Sequence, residues 1–246
     1  DRALPLALRS AAGARAVADP ALAGEDYRLT LRCLAVMNDP PSASAIDAHL
    51  GLGEMLLLQG HPQDAEAEFR RVLDLEDRPE AWLGLGRVAE ATGATLLAMQ
   101  SLRRAADLFG KAGLPAERAQ ALLVLGKVRA GRAEFDEARR DYEEALALLA
   151  GRADRVASAH ARIALGNFYR RTAQPERGLE LLAEAIRDAE EIGDPILWGE
   201  CLYPIGVANA ECDEIEEAVR FLTPAVELYT RAGHMRGLHA CWGMLG

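Results

Sequence analysis

The sequence predicts an all-α protein in which antiparallel helix pairs stack into an α-solenoid. Aromatic residues make up only 5% of the chain and half of it is apolar, with Ala and Leu dominant, which favours helices over strands. A Leu-Gly or Ile-Gly pair also recurs, and its glycines are Gly53, Gly86, Gly126, Gly166, Gly206 and Gly246. Successive glycines lie 33 residues apart once and 40 residues apart four times. Such a period predicts repeated helical hairpins.

Four further columns keep a fixed spacing from these glycines. Small residues stand five before (Ala48, Ala81, Ala121, Ala161, Cys201, Cys241) and twelve after (Ala65, Ala98, Ala138, Gly178, Ala218). Large apolar residues stand sixteen after (Phe69, Leu102, Tyr142, Leu182, Leu222), and smaller ones nineteen after (Val72, Ala105, Ala145, Ala185, Ala225). Steps of four and three residues define one helix face. We expect this face to be buried, with Cys201 and Cys241 acting as small buried hydrophobes.

Gly and Pro mark the predicted turns. Within hairpins they are Gly60-His61-Pro62 and Gln174-Pro175, and between hairpins they are Gly113-Leu114-Pro115 and Gly193-Asp194-Pro195. Each of these prolines is expected to open the helix that follows it. The repeat count predicts about twelve to thirteen helices. Pro204 and Pro224 fall inside predicted helices, where we expect kinks.

These columns resemble the tetratricopeptide repeat family. Trp82 and Trp242 match the family's Trp position and Tyr169 matches its first aromatic. The chain departs from the pattern with His49, Leu122, Arg162 and Leu202 at the Trp position, and the closing Pro is mostly missing. The longer period resembles the extended repeats of kinesin light chains and of bacterial signalling proteins. The resemblance implies a right-handed superhelix with a concave groove lined by the first helix of each hairpin.

The resemblance covers residues 45–246, which we divide into five repeats plus the first helix of a sixth. Residues 1–44 are predicted to form a divergent hairpin, since Ala23, Tyr27 and Thr30 keep the small–large–small spacing. The chain begins with Asp1 and stops within a repeat, so we expect a fragment of a longer protein. Only two of its 28 basic residues are Lys, which favours a bacterial source.

Charge and motif content exclude several function classes. The net charge of −10 opposes nucleic-acid binding, and no apolar run is long enough to span a membrane. The four cysteines lack metal-ligand spacing, and no Walker A loop, GxSxG elbow or HExxH motif is present. We therefore expect a cytoplasmic, non-catalytic chain without metal or cofactor.

The groove is predicted to lie along a first-helix stripe, formed by the columns six and three residues before the repeat glycine and one and four after it. Its members are Asp47, Leu50, Glu54, Leu57, Glu80, Leu83, Arg87, Glu90, Gln120, Leu123, Lys127, Ala130, His160, Ile163, Asn167, Arg170, Glu200, Tyr203, Val207 and Ala210. Arg171 and Glu211 flank it. The predicted ligand contacts are Arg87, Lys127, His160, Asn167, Arg170, Arg171 and Tyr203.

Lys127, Arg170 and Arg171 form a predicted basic centre, because the stripe positions of their own repeats hold no acid. We expect these cations to be exposed and to bind an acidic or carboxylate-bearing protein or peptide, with Asn167 bonding its backbone.

The function predicted from these observations is a protein- or peptide-binding scaffold or sensor module of a bacterial signalling protein. Two alternatives stay open. Exposed repeat ends could serve self-association, or the segment could be the regulatory arm of a larger kinase, ATPase or protease.

Overall fold

The computed structural model describes residues 20–37, 42–151, 154–172 and 174–245. These residues form twelve α-helices and no strand. In chain order the helices are α1 (Pro20–Ala35), α2 (Ser42–Leu58), α3 (Pro62–Leu75), α4 (Pro79–Ala91), α5 (Thr95–Lys111), α6 (Pro115–Gly131), α7 (Phe135–Leu149), α8 (Arg155–Arg171), α9 (Pro175–Ile192), α10 (Pro195–Glu211), α11 (Ile215–Ala232) and α12 (Met235–Leu245). The predicted all-α class is confirmed.

The helix starts agree with the turn chemistry of the sequence. The helices α3, α4, α9 and α10 have Pro in their first turn, where the missing N–H would have no intrahelical partner. Side chains of Asp154 and Asp194 cap α8 and α10 by accepting bonds from backbone N–H groups. The helices α10 and α11 continue through Pro204 and Pro224.

The chain divides into two compact units, residues 1–128 and 129–246, with the boundary inside α6. In the first unit α1 packs on α2, α2 on α3, α3 on α4, and α4 on α5. In the second unit the same sequential packing runs from α7 to α12. Sequential packing of helix pairs is the arrangement that the repeat period predicts.

The repeating columns form the core of both units. The residues five before the repeat glycine, from Ala48 to Cys241, are all fully buried. The large column of the second helices is buried as well, with relative exposures from 0% at Leu102 to 5% at Tyr142. The predicted interior face is therefore confirmed, and Cys201 and Cys241 lie in it as expected.

In the first unit, aromatic rings pack directly on first-helix glycines. A Cβ atom built on Gly51 would lie 2.2 Å from the Tyr27 ring, and one on Gly84 would lie 2.5 Å from the Phe69 ring. Tyr27 belongs to α1, which thus contacts α2 in the manner of a second helix of a preceding hairpin. Of the hairpin predicted over residues 1–44, residues 1–19 and 38–41 lie outside the described residues.

In the second unit, two helix backbones approach each other closely. A Cβ atom on Gly178 of α9 would lie 2.6 Å from the Gly166 carbonyl oxygen and 2.7 Å from the Arg170 backbone nitrogen. Gly178 stands in a column that holds Ala in the other four repeats. The glycine therefore sets the distance between α8 and α9.

Among the described residues, the turns of the first, second, third and fifth hairpins each contain a residue with positive φ, seven positions after the repeat glycine. Gly60 and Gly93 occupy this position in the first two hairpins, with φ of 79° and 75°. Ala133 and Asp213 occupy it in the third and fifth, with φ of 61° and 64°. The left-handed region disfavours residues with a Cβ atom, so these two turns carry local strain.

Candidate ligand-binding site

A cavity of about 540 Å³ lies on the first-helix stripe of the first unit. Its apolar wall includes Leu57, Leu83 and Phe109, and its polar groups include Glu54, Arg87 and Gln120. The stripe positions come from α2, α4 and α6, so three successive hairpins contribute to one cavity. Its volume falls within the range of about 300–1,000 Å³ that is typical of ligand sites.

Arg87 is the cation of this cavity. Its side chain is half-buried, and among the described residues no carboxylate lies within ion-pair distance of its guanidinium. Burial lowers the pKa of Arg87, although the charge of Glu54 opposes that shift. A guanidinium that has lost water without gaining an ion pair is a favourable position for an incoming anion.

Acidic groups share the cavity with Arg87. Glu80 is bound by Arg78, with 3.2 Å between the Arg78 Nε and a Glu80 carboxylate oxygen. Glu117 also lines the cavity, from the first turn of α6. The described lining of the cavity therefore has a single cation, an apolar wall and several carboxylates.

Lys127 already has an acidic partner within the first unit. Its Nζ lies 2.8 Å from a carboxylate oxygen of Glu90, on α4. The sequence analysis compared Lys127 only with acids of its own repeat, so the expectation of an unpaired basic centre is wrong at this residue. The partner comes from the preceding repeat because adjacent first helices lie side by side.

His160 and Glu200 meet on the stripe of the second unit, from α8 and α10. The His160 Nδ1 lies 3.3 Å from a Glu200 carboxylate oxygen. Their hydrogen bond raises the pKa of His160, and burial opposes the rise only in part. The pair joins two neighbouring repeats, since the residues occupy equivalent positions of each.

The Arg170 side chain is mostly covered and is paired, contrary to expectation. Its side chain is only 11% exposed, and its Nη1 lies 3.2 Å from a Glu211 carboxylate oxygen. Among the described residues its Nε and the Asn167 Oδ1 have no hydrogen-bond partner. The predicted exposure of Arg170 is therefore wrong, because the close approach of α8 and α9 covers this part of the helix.

Arg171 lies on the side of α8 that faces α7. It is exposed, it is close enough to Tyr142 to affect that hydroxyl electrostatically, and it lines a cavity of about 390 Å³ with Phe135 and Phe168. Successive residues of a helix are rotated by about 100° about its axis. The side chains of Arg170 and Arg171 therefore lie on different surfaces. Lys127 belongs to the first unit and both arginines to the second.

Tyr203 is partly buried against the core of the last hairpins. It packs on the cluster that includes Leu222 and Leu238, and burial raises the pKa of its hydroxyl. Its ring therefore contributes to packing as well as to the stripe.

Sequence reasoning missed the acids that pair with the predicted cations. Glu90 is a member of the stripe and Glu211 flanks it, but their pairing with the cations depends on how far one repeat is offset from the next. It also missed Phe135, whose only signal was a large apolar residue at a polar helix start.

Among the described residues, no group of three or more His, Cys, Asp or Glu side chains is arranged to hold a metal ion. Nor is any described helix both long enough and apolar enough to cross a membrane.

Comparison with known proteins gives similarity of fold. No family model and no curated protein matches the chain. The apo form of the quorum sensor NprR from B. thuringiensis matches with a TM-score of 0.73 and 12% identity, over 96% of this chain and 68% of that one. The Rap conjugation gene regulator of plasmid pLS20, in complex with the Phr* peptide, matches with a TM-score of 0.66 and 15% identity, over 82% and 59% of the chains.

A third similar structure is a Podosopora anserina protein with nearly identical TPR-like repeats of the kinesin light chain type. It matches with a TM-score of 0.58 and 16% identity, over 80% of this chain and 100% of that one. These similarities agree with the buried columns and the sequential helix pairs. The chain therefore has the fold of the TPR-like repeat proteins.

Proposed function

We propose that the chain is a non-catalytic peptide-binding module of a cytoplasmic bacterial signalling or regulatory protein, with its ligand on the first-helix stripe of the first unit. The observation that carries this proposal is Arg87, a half-buried cation that forms no ion pair with any described residue and lines a cavity of about 540 Å³. A cavity with an apolar wall and few polar groups is the usual form of a ligand site.

The ligand chemistry follows from the cavity wall. A carboxylate of the ligand would compensate the guanidinium of Arg87 with a charge-assisted hydrogen bond. An apolar side chain of the ligand would bury itself against Leu57 and Leu83. The Gln120 amide can both donate to and accept from a peptide backbone.

The acids of the cavity limit how acidic that ligand can be. Glu54, Glu80 and Glu117 would repel further carboxylates. The ligand therefore combines one carboxylate with an apolar side chain, and its other groups are neutral or basic.

The similar structures support this proposal at the level of fold. One of them is a gene regulator in complex with a peptide, and another is a quorum sensor. A regulatory sensor is thus a role that this fold takes in other proteins.

The stripe of the second unit is a weaker candidate. His160 and Arg170 pair with Glu200 and Glu211, so an anionic ligand would have to displace an internal carboxylate. Asn167 and Tyr203 are candidate contacts for a neutral ligand at this unit.

The test is selection of a random peptide library, displayed on phage, against the purified chain. Peptides that are enriched would be titrated by calorimetry against the parent chain and Arg87→Gln, with Arg103→Gln as the matched control because Arg103 is exposed on α5. Arg87→Gln should weaken binding about tenfold or more, which corresponds to about 1.4 kcal/mol. Failure to enrich any peptide, or equal affinity for parent and Arg87→Gln, would overturn the proposal.

A further inference from the structure

The cavity between α7 and α8 in the second unit is built from aromatic rings. Phe168 lies at the centre of the cluster, with ring centroids 5.5 Å from Tyr142, 5.9 Å from Tyr169 and 6.4 Å from Phe135. Phe168, Tyr142 and Tyr169 are buried, whereas Phe135 is 51% exposed. The cluster therefore opens to the surface at Phe135.

Among the described residues, two arginines and one aspartate line this cavity, and only one of the arginines is paired with the aspartate. Arg139 pairs with Asp136 at 3.3 Å, and both line the cavity. Arg171 lines it too and is exposed, and it makes no ion pair with any residue in the described part of the chain. A surplus cation beside open aromatic surface stands out on a chain whose net charge is −10.

We propose that this α7–α8 cavity is a second docking site, which takes an aromatic or aliphatic side chain of a partner protein together with a neighbouring carboxylate. The apolar side chain would cover the open face of Phe135, and the carboxylate would pair with Arg171. Aromatic residues and Arg are the side chains that contribute most at protein interfaces. The site lies off the first-helix stripe, so it is independent of the ligand proposed there.

The small number of unpaired cations favours a protein partner over nucleic acid. A single surplus cation suffices for one carboxylate, whereas nucleic-acid binding requires several cations along a phosphate backbone. Aromatic stacking of a base on Phe135 is nevertheless the main competing use of such a surface, and the test includes it.

The test uses the full chain with Arg87→Gln as bait, so that peptides of the stripe are selected less strongly. A random phage-displayed peptide library provides the probe, and enriched peptides are titrated against the bait with Phe135→Ala, Arg171→Gln or the control Arg103→Gln added. Enriched peptides should combine an aromatic or aliphatic residue with Asp or Glu. Phe135→Ala and Arg171→Gln should each weaken their binding roughly tenfold, and Arg103→Gln should leave it unchanged.

Arg171→Gln decides the outcome if Phe135→Ala impairs folding, since Arg171 is an exposed side chain. Absence of enriched peptides, or peptides that bind Arg171→Gln as tightly as the bait, would overturn the proposal. It would also fail if short oligothymidine bound the bait and lost affinity on Arg171→Gln while no peptide did. Failure of the experiment on the first-helix stripe would not affect this test, because the bait already lacks Arg87.

Discussion

The two units share the same packing columns, but the cations on their first-helix stripes differ in whether they form ion pairs. In the first unit, Arg87 is half-buried in an open cavity and forms no ion pair within the described part of the chain. In the second unit, His160 and Arg170 on the same stripe pair with Glu200 and Glu211. The common columns therefore determine the fold, whereas the variable stripe determines whether its cations form ion pairs among the described residues.

The units also differ in how helices approach each other. Both units pack aromatic rings on glycines, as Phe69 does on Gly84 and Tyr229 does on Gly199, but in the second unit the backbones of α8 and α9 also meet at Gly166 and Gly178. A ring can shift slightly when a neighbour changes, but two backbones cannot do so without moving whole helices. The contact between α8 and α9 should thus be less tolerant of substitution than the ring contacts.

The largest expected effect is loss of the buried Arg129–Asp141 pair in the second unit. Both side chains are about nine-tenths buried, so Asp141→Ala leaves a buried cation and should destabilise the chain by about 3–5 kcal/mol. Denaturant unfolding measures this. Replacing both residues, as Arg129→Met with Asp141→Leu, should cost much less, and an equal cost for both variants would contradict the explanation.

The next effect comes from the close approach of α8 and α9. Gly178→Ala places a methyl group against the backbone of α8 and should cost about 3 kcal/mol, at the upper end for overpacking. The reverse substitution at the equivalent first-unit position, Ala98→Gly, should cost only about 1–2 kcal/mol, from helix propensity and lost burial. Thermal unfolding of both variants compares the units, and a smaller loss for Gly178→Ala than for Ala98→Gly would show that α8 and α9 separate readily.

The sequence predicted the interior better than the surface. The columns from Ala48 to Cys241 were identified because burial repeats with helical periodicity. The pairing of Arg170 with Glu211 was not, since it depends on the offset between repeats, and neither was the cavity that Arg171 lines with Phe135 and Phe168. Gly178 looked like another small residue until the backbone distance was known.

Substitutions at the positive-φ positions of the hairpin turns should change the stability less, and the sign of φ predicts the direction of the change. Ala133 has φ of 61°, so Ala133→Gly should stabilise the chain by up to about 1 kcal/mol, whereas Gly93→Ala should destabilise it by about the same amount. Gly131→Ala is the control, because Gly131 is exposed at the end of α6 without positive φ. It should stabilise the chain by about 0.5–1 kcal/mol, and a loss instead would show that the sign is not set by φ.

The smallest effect is the pH dependence of the His160–Glu200 pair. The pKa of His160 is raised in the folded chain, so its contribution is complete below the unfolded pKa and is lost as pH rises through the folded value. The stability difference between the parent and His160→Gln should be larger at about pH 6 than at about pH 8.5, and below about 1 kcal/mol because the side chain is exposed. The same difference measured in a Glu200→Gln background should not vary with pH.

The central claim is that the ligand binds to the first-helix stripe of the first unit and not to that of the second. Leu83 and Ile163 occupy the same stripe column in the two units and are equally buried, at 7% and 9% exposure. Their methyl NMR signals can be followed while a selected stripe-binding peptide is added. The account predicts shifts at Leu83 and none at Ile163, while shifts at Ile163 with Leu83 unchanged would contradict it.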